Sequence, residues 1–129
     1  MDNNHQGIGE VQNVDDGIVK YIQLINNLGY KTIMSCSGME QDHYNKEKCP
    51  FICFIPPVLS KHNLSKYLCF LGDCLYNSNW YVEFFPRYIV GYLPWGLNDS
   101  EIEFRFQKLV TNLHTRDFFK YSYEVSPIF

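Results

Sequence analysis

The chain has 129 residues, a formal net charge of −3 and a composition that is 46% hydrophobic and 17% aromatic, which predicts one domain around a single core. The acidic balance argues against general binding to duplex nucleic acid, so any phosphate site would have to be local. No apolar run reaches the roughly 18 residues of a membrane span, and the start lacks the basic and apolar parts of a signal peptide, which predicts a soluble cytoplasmic protein without membrane contact.

Residues 1–14 contain glycines and several amide side chains, which predicts a flexible arm ahead of a domain that spans residues 15–129. A helix should follow, because Asp15 or Asp16 can cap its start. Its apolar residues recur at helical spacing: Ile18, Tyr21, Ile22, Ile25 and Leu28. Gly29 can end the helix in a left-handed turn, and the apolar, β-branched stretch "YKTIMSC" predicts a strand over residues 30–36.

The stretch "SGMEQDHYNKEK" is polar and has no period, which predicts an exposed loop of a length that small domains often use for function. A second strand, "PFICFI", is predicted to stop at Pro56 and Pro57. The next helix should run from about residue 60 to residue 76, with Ser60 or Asn63 as its cap. Its apolar stripe is Leu64, Leu68, Leu71 and Leu75.

The sequence "WYVEFFPRYIVGYLPW" predicts two strands, residues 80–85 and 88–93, joined by a bend or hairpin turn at Pro86. Ser100 and Glu103 have the spacing of a capping box at the start of a third helix. The buried face of that helix should contain Ile102, Phe106, Leu109, Val110 and Leu113. The tail from Phe118 alternates in a way that is typical of a last strand.

Helices and strands are therefore predicted in the order αββαββα, with a further strand at the end. The loops between paired strands are too short for parallel crossovers. The fold class that we predict is α+β: a single-domain sandwich whose mixed or mostly antiparallel sheet is covered by helices.

Ser35, Cys36, Ser37 and Gly38 form a small, mostly polar corner at the end of the first strand. Successive backbone N–H groups and two serine hydroxyls there could bind an anion, since Gly38 permits a positive φ. Cys36 could instead be a nucleophile if a cation such as protonated His43 stabilised its thiolate. The simplest alternative is a tight turn that uses Cys36 as a small buried hydrophobic residue.

Few cations are available to complete an anion site. Arg87 lies beside the predicted bend and Arg105 on the third helix, and either could bind phosphate or carboxylate as a forked donor if it reached the corner. The candidate ligand-binding residues are therefore Ser35, Cys36, Ser37, Gly38, His43, Arg87 and Arg105.

The five cysteines form an odd set without a secretion signal, which predicts free thiols. Cys36, His43, Cys49 and Cys53 are a permitted set of zinc ligands. However, Cys49 and Cys53 are four residues apart on a predicted strand, which separates them by about 13 Å on one face. That separation is too large for one tetrahedral ion, so we expect neither a metal nor a resident cofactor.

The stretch "GYKTIMSCSG" followed by "PFICFI" resembles two groups of proteins. One is the tRNA wybutosine-synthesising methyltransferase family (the third enzyme of that set), in which a T-x-S-S-C-S-G-R segment lines a cofactor pocket; here Met39 stands where the family has arginine. The other is a group of small proteins of Gram-positive bacteria and their phages with a "GYKT" strand and a "CSGH"-like corner. The resemblance covers about residues 15–55 and is silent on the rest of the chain.

These observations favour a noncatalytic protein that holds a small anionic, nucleotide-like ligand at the corner, with an oligomer built through its surplus aromatic side chains. The abundance of Asn, Lys, Ile and Tyr indicates an AT-rich coding sequence. If the source is a phage, such a protein would act in the host cytoplasm and could sequester an immune signalling nucleotide. Two alternatives stay open: an S-adenosylmethionine-dependent tRNA-modifying enzyme, as the resemblance implies, and an inhibitor of host defence that acts by protein–protein contact.

Overall fold

The described part of the chain contains seven helices and strands, in the order that the sequence predicts. The computed structural model describes residues 14–39, 42 and 49–119. Its elements are α1 (Val19–Asn27), β1 (Thr32–Cys36), β2 (Phe51–Phe54), α2 (Lys61–Asn77), β3 (Tyr81–Phe84), β4 (Ile89–Tyr92) and α3 (Asp99–Arg116). The predicted α+β class is confirmed. None of the helices in the described part of the chain is long and apolar enough to cross a membrane.

The four strands form one sheet in the order β1-β2-β4-β3, and every neighbouring pair is antiparallel. One end row of paired residues contains Cys36, Phe51, Tyr92 and Tyr81. The opposite end row contains Thr32, Phe54, Ile89 and Phe84. The predicted turn at Pro86 is confirmed, because the Phe85 N–H donates to the Tyr88 carbonyl across it.

The core lies on one face of this sheet. Side chains alternate between the two faces of a strand, and Ile52, Phe54 and Ile89 belong to the same buried cluster as the apolar residues of the three helices. Gly91 lies on this face under α2, since an added Cβ would come 2.7 Å from Leu75 Cδ2. We call the other side of the sheet the second face, and its exposed side chains include Met34 and Tyr81.

Helix α1 ends as predicted but begins differently. Gly29 has a φ of +107°, and the Tyr30 N–H donates to the Ile25 carbonyl across it, which closes the helix. The N-cap is Ile18, whose side chain cannot cap, so the predicted cap at Asp15 or Asp16 is wrong. Asp15 instead accepts a hydrogen bond from the backbone of residue 37.

Helix α2 is capped by Ser60, whose side chain accepts the Asn63 N–H. Its predicted stripe is rotated from the observed one, because Leu64 and Leu68 are only half-buried. The buried residues of α2 are Asn63, Tyr67, Leu71, Cys74 and Leu75. The predicted burial is therefore confirmed for Leu71 and Leu75, whereas Asn63 and Tyr67 are buried in the first turns of α2 in place of Leu64 and Leu68.

Helix α3 has a capping box two residues earlier than predicted. Asn98 accepts the Glu101 N–H at 2.8 Å, and the Glu101 carboxylate accepts the Asn98 N–H at 3.0 Å. Ser100 is therefore inside the helix. The expected buried face is confirmed at Ile102, Phe106, Leu109 and Leu113, whereas Val110 is half-buried.

Two further expectations differ from the structure. Met39, predicted in an exposed loop, is only 3% exposed and joins the core cluster. Phe118 and Phe119, predicted to begin a strand, are helical: the Phe118 N–H donates to the Tyr30 hydroxyl, and the Phe119 ring packs on the Tyr30 ring. The rest of the predicted last strand, residues 120–129, lies outside the described residues. Residues 1–13 of the predicted arm also lie outside them.

Candidate functional site

The corner of residues 35–38 is closed by two carboxylates of the chain itself. The Ser37 N–H donates to Asp15 Oδ2 at 2.8 Å, and the Ser37 hydroxyl donates to Asp42 Oδ2 at 2.5 Å. The Gly17 N–H also donates to Asp42 Oδ2, at 3.3 Å. Donors that the sequence assigns to an anionic ligand thus already bind anionic oxygens, and a ligand at this corner would have to displace them.

Gly38 gives the corner its shape. Its φ is +62°, a conformation that favours glycine. An added Cβ would lie 2.8 Å from the ring of Pro50, which ends the loop from β1 to β2. Close approach of the backbone therefore accounts for a small residue at position 38.

The other corner residues point to different sides of the sheet. The Ser35 hydroxyl is buried on the helix-covered face and has no hydrogen-bond partner among the described residues. Cys36 is buried on the second face. His43, the predicted cation for its thiolate, lies outside the described residues.

Two cysteines near the corner, Cys49 and Cys53, are not activated. Burial raises the pKa of the Cys49 thiol above its ordinary value and raises the pKa of Cys53 to about 11. Both thiols are therefore protonated at neutral pH. Within residues 14–39, 42 and 49–119, no three His, Cys, Asp or Glu side chains are placed to hold a metal ion.

The two candidate arginines lie away from the corner. Arg87 is exposed in the turn between β3 and β4, beside the end row that contains Thr32, whereas the corner follows Cys36 in the opposite end row. Arg105 lies beside the residues that precede β3, and two strands separate β3 from β1. The structure therefore does not bring Arg87 or Arg105 to the corner.

Arg105 instead lies in a cleft between α3 and the turn that joins α2 to β3. Its guanidinium donates to the Asn79 carbonyl at 2.8 Å, while its own carbonyl accepts the Trp80 indole N–H at 3.1 Å. These two hydrogen bonds hold both the side chain and the backbone of Arg105 against the turn. The cleft has a volume of about 510 Å³, and we call it the Arg105 cleft; its lining residues are Tyr76, Asn77, Asn79, Trp80, Tyr81, Pro94 and Arg105.

The cleft combines a cation, amides and exposed rings. Tyr76 is 74% exposed and Tyr81 is 56% exposed, so both rings are open to a planar group. Among the described residues, no carboxylate forms an ion pair with Arg105. The nearby Glu103 carboxylate is held by the Tyr21 hydroxyl at 2.6 Å and by Lys20 at 3.4 Å, and these contacts lower its pKa.

The backbone of Asn79 has a φ of +65°, which is uncommon for a residue other than glycine. This conformation directs the Asn79 carbonyl to Arg105. The sequence contains a signal for it, since "NSNW" follows the second predicted helix and asparagine tolerates the left-handed region. Sequence reasoning selected Arg105 but not the turn or the tyrosines around it.

A comparison of the chain with protein-family models, curated proteins and solved structures finds no match.

Proposed function

We propose that this protein binds a small anionic ligand with a planar ring, of the nucleotide type, in the Arg105 cleft. The observation that carries the proposal is the guanidinium of Arg105, which is fixed by the Asn79 carbonyl beside two exposed tyrosine rings. Its remaining N–H groups can form a forked pair with a phosphate. The rings of Tyr76 and Tyr81 offer surfaces on which a base can stack.

The size and chemistry of the cleft favour binding over turnover. Its volume of about 510 Å³ lies within the roughly 300–1,000 Å³ of small-molecule sites. The side-chain amides of Asn77 and Asn79 can each donate and accept hydrogen bonds at a base edge. Among the described residues, the lining includes no carboxylate, histidine or thiol for proton transfer. Sequestration of a signalling nucleotide, without chemical change, is the role that this combination supports best.

Thermal unfolding in the presence of nucleoside monophosphates, cyclic dinucleotides and S-adenosylmethionine tests the proposal, followed by titration calorimetry of any compound that raises the midpoint. Arg105→Lys keeps the positive charge but loses the fork, so we expect about tenfold weaker binding, which corresponds to about 1.4 kcal/mol. The matched control is Arg87→Lys, at the opposite end of the sheet, which should bind like the parent protein.

Ser37→Ala distinguishes the cleft from the corner. Loss of binding in Ser37→Ala with normal binding in Arg105→Lys would place the ligand at residues 35–38 and contradict the cleft. Chemical change of the bound compound, followed by mass spectrometry, would favour the enzyme alternative.

A function by protein–protein contact is the second candidate, and the second face of the sheet supports it. Tyr81 and Tyr92 have ring centroids 5.4 Å apart on this face, and those of Phe85 and Tyr88 are 5.1 Å apart. Glu83 is the one charged residue that β1 to β4 place there. Exposed aromatic side chains with little charge are typical of interfaces. No stabilisation by any of the nucleotides, together with a mass that rises with protein concentration, would favour this candidate.

A further inference from the structure

Strand β3 is an edge of the sheet in the described part of the chain. Its hairpin register shows which of its backbone groups have no partner among the described residues. The Phe85 N–H donates to the Tyr88 carbonyl, and hydrogen-bonded and non-bonded pairs alternate along an antiparallel ladder. The Val82–Gly91 and Phe84–Ile89 pairs are therefore the non-bonded ones. The N–H and C=O groups of Val82 and Phe84 point away from β4, toward the open edge.

A cleft runs between this edge and α2. It has a volume of about 780 Å³, and its lining includes Leu68, Gly72, Tyr76, Val82 and Phe84. The ring of Phe84 lies against the helix at Gly72, where an added Cβ would come within 3.0 Å of the ring. Phe84 is nevertheless 52% exposed. The helix and the strand therefore form the two walls of a groove that is open to solvent, and the lining on the helix side also includes Lys66 and the Arg116–Asp73 ion pair.

The backbone N–H and C=O groups of Val82 and Phe84 that point away from β4 lie beside the groove. Val82 and Phe84 place their side chains on the helix-covered face and their free backbone groups at the edge. A further strand paired with them would place alternate side chains in the groove beside α2. This combination of a free strand edge with a flanking helix is how extended peptides are bound by strand addition.

The charge of Glu83 determines which side chain is favourable opposite it in a strand that pairs with β3. It is exposed on the second face between Val82 and Phe84, and it has no ion-pair partner among the described residues. In a pair of β3 strands centred on this residue, the two Glu83 carboxylates would lie opposite each other, which is unfavourable. A basic side chain opposite Glu83 is favourable for the same reason.

From these features we infer that the open edge of β3 binds an extended segment of a partner protein with the pattern apolar, basic, apolar. The two apolar side chains enter the groove between α2 and β3, and the basic side chain lies opposite Glu83. The inference does not rest on a ligand in the Arg105 cleft, although Tyr76 lines both the groove and that cleft.

The test uses a blocked peptide with the core Thr-Val-Lys-Val-Thr, titrated at millimolar concentration into the full-length, ¹⁵N-labelled protein. We expect the amide signals of Val82 and Phe84 to shift and their hydrogen exchange to slow. Methylation of the backbone nitrogen of both valines removes the donors that face β3, and it should abolish these changes. Equal binding of the methylated peptide, or no shift at Val82 and Phe84, would overturn the inference.

A reciprocal charge exchange tests the role of Glu83. In Glu83→Lys the lysine peptide should bind several-fold more weakly, while a peptide with glutamate at the central position should bind several-fold more tightly than it binds the parent protein. The variant exposes one charge in place of another and should fold normally. Identical preferences in both proteins would contradict the pattern. Self-association through β3, seen as slowed exchange at Val82 and Phe84 that grows with protein concentration without peptide, would show that the occupant is a second copy.

Discussion

Gly38 is held at a φ of +62° beside Pro50. An alanine there would carry the cost of a left-handed conformation, roughly 1–2 kcal/mol, and would also press its Cβ on the proline ring. Gly96 provides a natural comparison, because its φ is +89° and nothing lies within 4 Å of an added Cβ. The two glycines share a conformational requirement and differ in their surroundings.

We predict that Gly38→Ala lowers the free energy of unfolding by about 2 kcal/mol or more, and that Gly96→Ala lowers it by about 1 kcal/mol. The difference arises from the contact with Pro50, which has little freedom to move. Urea unfolding of both variants, followed by tryptophan fluorescence, measures it. Equal decreases in the free energy of unfolding would mean that the loop around Pro50 can move to accommodate the added methyl group without a loss of stability.

At the scale of secondary-structure elements, the start of α3 shows how a capping motif can be assigned to the wrong residues. Both "NDSE" residues Asn98 and Ser100 are good helix caps by type, and each has a glutamate three residues later. The structure uses Asn98 with Glu101, so the helix gains two residues at its start. Ser100 has no capping role.

We predict that Asn98→Ala lowers the free energy of unfolding by about 1 kcal/mol, while Ser100→Ala changes it by less than about 0.5 kcal/mol. The first variant leaves the Glu101 N–H without its acceptor, and the second removes an exposed hydroxyl. Thermal and urea unfolding of the two variants provide the measurement. A larger loss in Ser100→Ala would show that the sequence-based assignment of the cap describes the protein better.

The order of the elements could be predicted because apolar spacing and turn residues act locally. Ile18, Ile22 and Ile25 repeat along one helix face, and Gly29 and Pro86 mark turns that the structure contains. Burial by distant residues was harder to predict. Met39 reads as part of a polar loop, yet it reaches the core.

The candidate site was less predictable than the fold for a related reason. The residue types at positions 35–38 suggested an anion site, but Asp15 and Asp42, 22 and 5 residues away from Ser37, occupy its backbone and hydroxyl donors. The sequence identified Arg105 as a candidate cation but did not reveal the turn and the tyrosine rings that surround it. That setting depends on the chain turning back at Asn79, which no local pattern around Arg105 shows.

At the scale of the whole molecule, buried thiols should make the free energy of unfolding fall as the pH rises in the alkaline range. Burial raises the pKa of Cys53 and of Cys74 to about 11 from an ordinary value of 9.0. Between these values the unfolded chain loses thiol protons that the native protein keeps. Because thiols of the unfolded chain begin to ionise about one pH unit below 9.0, this contribution to stability is complete below about pH 8 and is lost as the pH rises toward 11.

We predict that the free energy of unfolding falls between about pH 8 and about pH 9.5, a range that precedes most of the ionisation of tyrosine. Cys53→Ala removes one of the two thiols and should make this fall shallower. The matched control is Cys69→Ala, which removes an exposed thiol and should leave the slope unchanged. Urea unfolding at several pH values measures the slopes, and identical slopes in all three proteins would refute the assignment.

Two glycines set the distance between α2 and the sheet. Gly91 admits Leu75 from the helix, where an added Cβ would come within 2.7 Å of its side chain, and Gly72 admits Phe84 from the strand, where the distance would be 3.0 Å. The layers are therefore closer than ordinary side chains would allow, and the groove along β3 inherits its depth from that spacing. A larger residue at position 91 would lift the helix and change what the strand edge can accept, although Gly91 does not line the groove that receives the incoming segment. Selectivity at this edge could thus be altered from inside the protein, by changing the separation of two layers instead of the surface that meets the partner.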